Sequence, residues 1–346
     1  MFHFRKKNQN MLGLDIGSRE IKAVELTRTG AGFSVTSLAS KPLISEEATV
    51  DTLRQLAQES RFKASRATSS ISGRSVVVRY ITMQPMTDSE LRTAMKYEAE
   101  KYIPFAVNDV VIDSQCLDGA PEGGMRGAEM KVLLVAAKRA LVLGHINKLA
   151  ESGFELAVLD VDAFALGNAY HLVRAAAPAE EPVKTTGIVD IGASKTNINI
   201  ACGNVSLFTR EIYIGGDDFT NAICRQEGIE FYEAEALKQS TDTSEDALKK
   251  AVNLTLEDLG NEIQLSFDYF EHQFDTEVGE VLLTGGGSLL RDLTSVFEEK
   301  FRKPTRIWNP LLEVPVQAKG FNTEVLEAVG PRMAIALGLA SRLISE

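Results

Sequence analysis

Cysteine is scarce in this chain. Cys116, Cys202 and Cys224 stand far apart in 346 residues and form no CxxC pair. That excludes a disulfide framework and a cysteine-based metal or redox motif, and points to a reducing compartment. The four histidines, His3, His145, His171 and His272, are scattered, none with a histidine partner at helical spacing, so no zinc site is expected. No apolar run approaches the roughly 20 residues that span a bilayer. The first residues lack the apolar core of a signal peptide. Cationic side chains are in deficit, 37 Lys and Arg against 48 Asp and Glu, for a net charge of −11. That excludes a general nucleic-acid-binding surface. The basic cluster Arg5-Lys6-Lys7 reads as a solvated, disordered tail over 1–10, with a weak membrane-surface contact as the alternative. These exclusions leave a cytoplasmic protein, held at a membrane only through a partner.

What the chain has is length, glycine-rich turns and a repeated motif. At 346 residues, 44% hydrophobic and 25% charged, it reads as globular, with two domains or one bilobed unit. In Leu14-Asp15-Ile16-Gly17-Ser18-Arg19-Glu20-Ile21-Lys22 a buried strand ends on an acid and turns at a glycine. An alternating strand then leaves with a lysine on it. Alone this is a tight hairpin turn. However, Val189-Asp190-Ile191-Gly192-Ala193-Ser194-Lys195-Thr196 repeats it. In both places a three-strand meander is expected: 11–15, 21–27 and 32–39, then 187–190, 197–201 and 205–214. A match in motif, order and turn position indicates an internal duplication.

Between the copies, 75–152 reads as an inserted α+β module. A strand from Val76 is stopped by Pro85. Thr87-Asp88-Ser89-Glu90 is a capping box that opens a helix reaching Tyr102. Two strands and a helix ending at Gly153 follow. The expected division is a tail at 1–10, a first domain at 11–74 plus 153–177, the module at 75–152, a linker at 178–186 and a second domain at 187–346. Within the second domain 230–278 is helical. Helices are also expected over 50–60, 163–176, from about Phe219, over 289–301 and over 332–340.

Chemistry concentrates in four glycine-rich turns: Asp15 to Ser18, Asp190 to Thr196, Gly215-Gly216, and Gly285 to Ser288. Glycine lets backbone N–H groups approach a polyanion, and hydroxyls add donors. Asp15 and Asp190, from duplicated domains, suit a hydrated Mg²⁺ between them. Lys22 reaches a phosphate. The set points to a nucleotide cleft.

This ordered set resembles the actin-like ATPase superfamily. Asp15-Ile16-Gly17-Ser18 looks like its first phosphate loop, Val189-Asp190-Ile191-Gly192 its second, and Thr284-Gly285-Gly286-Gly287-Ser288 its adenosine loop. Residues 159–166 and 334–339 look like its two hinge-side helices. The fold class implied is α/β: duplicated actin-like (ribonuclease H-like) domains around a nucleotide cleft, with an inserted small α+β subdomain. The cofactor implied is ATP or ADP with Mg²⁺. Asp15 and Asp190 would organise the metal through water. Gly17, Ser18, Lys22, Gly192, Ala193, Ser194, Thr196, Gly215 and Gly216 would surround the phosphates, and Gly285, Gly286, Gly287 and Ser288 the nucleoside. Glu235 and Lys238 either bind ribose or adenine or form a solvated helix face.

Within the superfamily, three stretches are similar to the PilM family of type IV pilus assembly proteins, over about 11–346. They are Gly13 to Ser18, Tyr97-Glu98-Ala99-Glu100-Lys101-Tyr102-Ile103-Pro104-Phe105, and Asp160 to Leu166 followed by Gly215-Gly216-Asp217-Asp218-Phe219. This resemblance implies a cytoplasmic ATP-binding adaptor, peripheral at the inner face of the cytoplasmic membrane. It would bind the cytoplasmic N-terminal tail of PilN near the inserted module. Tyr97, Tyr102, Ile103, Pro104 and Phe105 are the candidate contacts. Other platform proteins and a homo-oligomer are further expected partners. An FtsA-like filament-forming cell-division protein is one alternative, and the end of the chain at Glu346 without an amphipathic membrane helix weighs against it. The other is an actin-fold ATPase or kinase in which Asp190 orients a water. No base poised over an acceptor stands out, and Asp160 and Asp162 read as helix-start carboxylates.

Overall fold

The structure is a computed structural model that describes residues 10–29, 32–60, 62–64, 66–117, 129–176, 184–203, 205–240, 245–318 and 320–342. The basic cluster at 5–7, the turn at 118–124 and the Pro/Glu segment at 177–182 lie outside the described residues. In chain order the elements are β1 (Asn10–Ile16), β2 (Glu20–Thr29), β3 (Gly32–Pro42), α1 (Thr49–Ser60), β4 (Arg66–Ile71), β5 (Val76–Met83), α2 (Asp88–Glu98), β6 (Val110–Cys116), β7 (Met130–Lys138), α3 (Arg139–Glu151), β8 (Glu155–Val161) and α4 (Asp162–Ala176). There follow β9 (Thr185–Ile191), β10 (Thr196–Cys202), β11 (Val205–Ile212), α5 (Gly216–Glu227), α6 (Phe231–Gln239), α7 (Glu245–Phe274), β12 (Glu280–Thr284), α8 (Leu293–Phe301), β13 (Thr305–Ile307), α9 (Thr323–Val329) and α10 (Ala334–Ser341). The chain divides into two units, Met1–Ser70 with Ser152–Glu346, and Ile71–Glu151.

The larger unit holds two sheets of one design, β3-β2-β1-β4-β8 and β11-β10-β9-β12-β13. In each, a meander of three antiparallel strands supplies one side and the central strand pairs in parallel with the next, β1 with β4 and β9 with β12. The copy extends to a detail that sequence did not disclose. The register of β2 with β3 shifts between Glu25 and Leu26, and that of β10 with β11 between Ile200 and Ala201, at equivalent places in the two meanders. This duplicated α/β topology is the actin-like fold. The central strands β1 and β9 are buried along nearly their whole length because both their faces are covered.

Two helices join the halves. Helices α4 and α10 cross through small residues, and a Cβ on Gly338 would run into the Ala165 carbonyl. Likewise Gly13 of β1 lies directly against the Ala336 carbonyl of α10. Only side chains of this size let two backbones approach so closely.

The smaller unit is an antiparallel sheet, β5-β7-β6, with α2 and α3. The expected capping box is present: Thr87 Oγ1 accepts from the Glu90 N–H at 3.3 Å and Glu90 accepts from the Thr87 N–H at 2.8 Å. Leu91, Met95, Ala99 and Ile103 fill its core against Val132 and Leu134.

Several local expectations shift. Helix α5 opens at Gly216 rather than near Phe219, because the Asp218 carboxylate accepts from the Gly215 N–H at 2.8 Å and closes the first turn. The segment expected as one helix over 289–301 is broken by Asp292 in the left-handed region (φ 60), so α8 starts only at Leu293. The hinge stretch at 159–166 is still strand as far as Val161. Strand β13 and helix α9 were not anticipated; at three and seven residues they are too short to show a period. Among the described residues, no helix is long and apolar enough to cross a membrane.

Candidate functional site

The two glycine turns have one backbone. In the first, Asp15 lies opposite Lys22 and the Gly17 N–H donates to the Glu20 carbonyl at 3.1 Å. In the second, Asp190 lies opposite Asn197 and the Gly192 N–H donates to the Lys195 carbonyl at 2.9 Å. A Cβ on either glycine would stand 2.9 Å from that same carbonyl oxygen, so glycine is required at both. Ser18 and Ser194, at the tips, are exposed, and Ala193 beside the second is half-buried.

Charge gathers where these turns leave their strands. Lys22 Nζ pairs with Asp15 at 2.6 Å. Lys195 Nζ bridges Asp162 at 2.9 Å and Glu211 at 2.7 Å. Ser70 Oγ donates to Asp162 at 2.6 Å, and Asn197 Nδ2 to Asp190 at 3.3 Å. Burial pushes the Asp190 carboxyl up to about 6; Lys22 and Asn197 pull it back, and the charges of Asp15 and Asp162 push it further. Burial also raises Asp15, in the face of Lys22. For Lys22, burial is outweighed by Asp15, which holds the ammonium above its usual value. Lys195 is half-buried, and although that burial opposes its charge, Asp162 and Glu211 hold it well above the ordinary lysine range. The result is a buried acidic pair, Asp15 and Asp190, with Lys22 as its near cation. Such a pair lacks positive charge, and a divalent cation fits it.

The remaining candidates fall into two groups. Gly215 and Gly216 abut the second turn, where the Gly216 N–H donates to Gly192 O at 2.8 Å and the Asp217 N–H to Ala193 O at 2.7 Å. Their backbone donors are therefore engaged, and a Cβ on Gly215 would lie 2.6 Å from Ala193 O. These glycines brace the turn. Thr196 is buried and donates to Ile214 O at 2.7 Å, and Ser288 is buried and donates to Gly285 O at 2.7 Å. Both hydroxyls are structural in this state. Gly285 adopts φ 83, and a Cβ there would lie 2.6 Å from Asp190 Oδ1, which seats the Gly285 to Ser288 loop against the second acid. Gly287 lies 3.0 Å from Ile191 O by the same measure, while Gly286 is exposed.

Glu235 and Lys238 are not a solvated face. They pair at 2.7 Å, and Lys238 Nζ also donates to Thr220 Oγ1 at 2.7 Å and Gly216 O at 3.1 Å. Burial opposes ionisation of Glu235, and the hydrogen bonds from Lys238 and Thr220 outweigh it and hold the carboxyl below its usual value. Lys195 is a site residue that sequence reasoning passed over, and Asp162 is one that it read as a helix-start carboxylate only. Asp162 does start helix α4, as expected, and its charge raises both Asp15 and Asp190.

In the smaller unit, Tyr97 is 77% exposed and Pro104 is exposed. Tyr102 and Phe105 are half-buried against the core, and Ile103 lies inside it. Lys138 Nζ sits 4.9 Å from the Phe105 ring centroid. Ile103 therefore packs the unit, while Tyr97 and Pro104 face outward.

A solved PilM-PilN type IV pilus biogenesis complex contains a chain that matches this one with a TM-score of 0.85 and 31% identity, over 96% of this chain and 98% of that one. The ethanolamine utilization protein EutJ from Carboxydothermus hydrogenoformans matches with a TM-score of 0.56 and 15% identity, over 97% of this chain and 90% of its own. That second likeness is one of fold. The family described as type IV pilus assembly protein PilM matches residues 13–344. The chain belongs to the PilM family of type IV pilus assembly proteins.

Proposed function

We propose that this protein is a nucleotide-binding adaptor of the type IV pilus inner-membrane assembly platform, and that it binds the cytoplasmic tail of PilN. The observation that carries the reading is the likeness, over 96% of the chain, to the partner of PilN in a solved complex. The protein would sit in the cytoplasm, peripheral to the membrane through PilN. Tyr97 and Pro104 are the outward-facing candidates for the contact, with Tyr102 and Phe105 at its edge.

ATP with Mg²⁺ is the ligand that the paired turns suit. A magnesium ion would supply the missing positive charge at Asp15 and Asp190 and tie it to phosphate oxygens. Among the described residues, no three His, Cys, Asp or Glu side chains converge to ligate a metal directly. A magnesium ion held here would thus keep waters and take other ligands from phosphate, as this ion commonly does. Lys22 would hold a phosphate, Ser18 and Ser194 would donate from the tips, and the Gly285 to Ser288 loop would line the nucleoside. Helices α4 and α10 form the hinge about which the halves would close.

The test is calorimetric titration of the full chain with a synthetic peptide of the PilN tail, with and without magnesium and ATP. Binding of the peptide, strengthened by nucleotide and weakened in Tyr97→Ala, is the expected result. An absence of peptide binding under both conditions overturns the adaptor reading.

A further inference from the structure

Arg19 sits at the tip of the first turn, a position that the sequence pattern left unassigned. Its Nε reaches across to the other half of the larger unit and bonds both oxygens of Asp217, at 3.2 and 3.1 Å. Its guanidinium also lies 4.5 Å from the centroid of the Phe231 ring, the first residue of α6. Asp217 in turn is fixed to the second turn, because its N–H donates to Ala193 O at 2.7 Å. One side chain therefore joins the tip of the first turn to the backbone of the second and to the helix that carries Glu235 and Lys238. The pair is part-exposed, with Arg19 at 50% and Asp217 at 25%, so water and salt reach it and it can open.

We propose that Arg19 and Asp217 form a clasp across the two phosphate turns and set how long a nucleotide stays bound. The proposal rests on the nucleotide reading above. It makes Arg19 a positioning residue: it shuts the mouth by holding one half to the other, while Lys22 deals with phosphate. Part-exposed ion pairs and cation–π contacts are individually weak, so the clasp yields on each cycle of entry and release.

Stopped-flow release of a fluorescent ATP analogue, chased with unlabelled ATP in magnesium, tests it. Arg19→Ala and Asp217→Ala are each expected to speed release about fivefold, given the usual strength of such contacts. The double variant should be no faster than either single one. The exchange Arg19→Asp with Asp217→Arg should recover much of the slow release. Added salt should speed release from the unaltered protein and leave Arg19→Ala nearly unchanged. Unchanged release in either single variant, or additive effects in the double, overturns the clasp. A second measurement needs no ligand. Spin labels at Ile44→Cys and Tyr232→Cys, both on exposed side chains of opposite halves, should give a broader distance distribution in Arg19→Ala than in the parent. An identical distribution overturns the clasp. Failure of the parent to bind nucleotide overturns the nucleotide reading, and the distance experiment then decides the clasp alone.

Discussion

The two glycine turns share a backbone and differ in charge. Gly17 and Gly192 make the same contact with a carbonyl three residues on, and the same strand register follows. The side chains then diverge. Asp15 faces Lys22, whereas Asp190 faces the neutral Asn197. Position 20 is an acid, and its counterpart at 195 is a lysine that turns away to Asp162 and Glu211. Duplication therefore fixes where the two acids stand, and divergence decides that only one has a cation of its own. Burial raises the Asp190 carboxyl to about 6, and with only the neutral Asn197 opposite it and Lys22 paired to Asp15 that rise is incompletely offset.

Breaking the first turn's pair should have the largest effect. Lys22→Met removes the shared cation from two buried acids and should lower unfolding stability by about 3 kcal/mol at pH 7.5 in a urea titration. The loss should shrink as pH falls through about 6 and Asp190 protonates. Changing the second turn should act with the opposite sign. Asp190 is raised in the folded state from 3.8 to about 6. The folded protein holds that proton more tightly than the unfolded chain, so ionisation costs stability above pH 6 and costs nothing below about pH 4. Asp190→Asn should accordingly stabilise the unliganded protein at pH 7.5, on the order of 2 kcal/mol, and leave it unchanged at pH 4. The shared backbone predicts equal penalties: Gly17→Ala and Gly192→Ala should each cost roughly 1–3 kcal/mol, as an overpacked site does, and match within about 0.5 kcal/mol in thermal unfolding. Asn197→Ala, which removes one long hydrogen bond of 3.3 Å from a neutral amide to Asp190, should have the smallest effect, about 1 kcal/mol.

These differences also mark what sequence could disclose. The turns were legible because Asp-x-Gly between apolar strands is a local pattern, and the copy at Asp190 made it significant. The sheet design followed from that copy. The long helix α7 lies within the stretch expected to be helical, and Leu256, Leu259, Ile263 and Phe267 along it are all buried. Asp162 was not legible as a site residue, because its place beside the turns is set only when β8 joins the edge of the first sheet and α4 leaves from its end. Nor was the engagement of Thr196, Ser288 and the Gly216 N–H visible, since a hydroxyl or amide in a glycine-rich stretch looks free until its acceptor is placed. The short elements after Arg302 lack a period to read. Ile103 lies in a motif that looks like one surface, but the chain there turns it inward and Pro104 outward.

The central claim is that a magnesium nucleotide lies between the two turns and is held through Asp190. Calorimetric titration of ATP into the parent and into Asp190→Asn, each with magnesium and with a chelator, tests it most directly. Magnesium-dependent binding by the parent, absent from a variant that is itself the more stable protein, is the expected result. Binding by Asp190→Asn equal to that of the parent, or none by the parent with magnesium present, would contradict it.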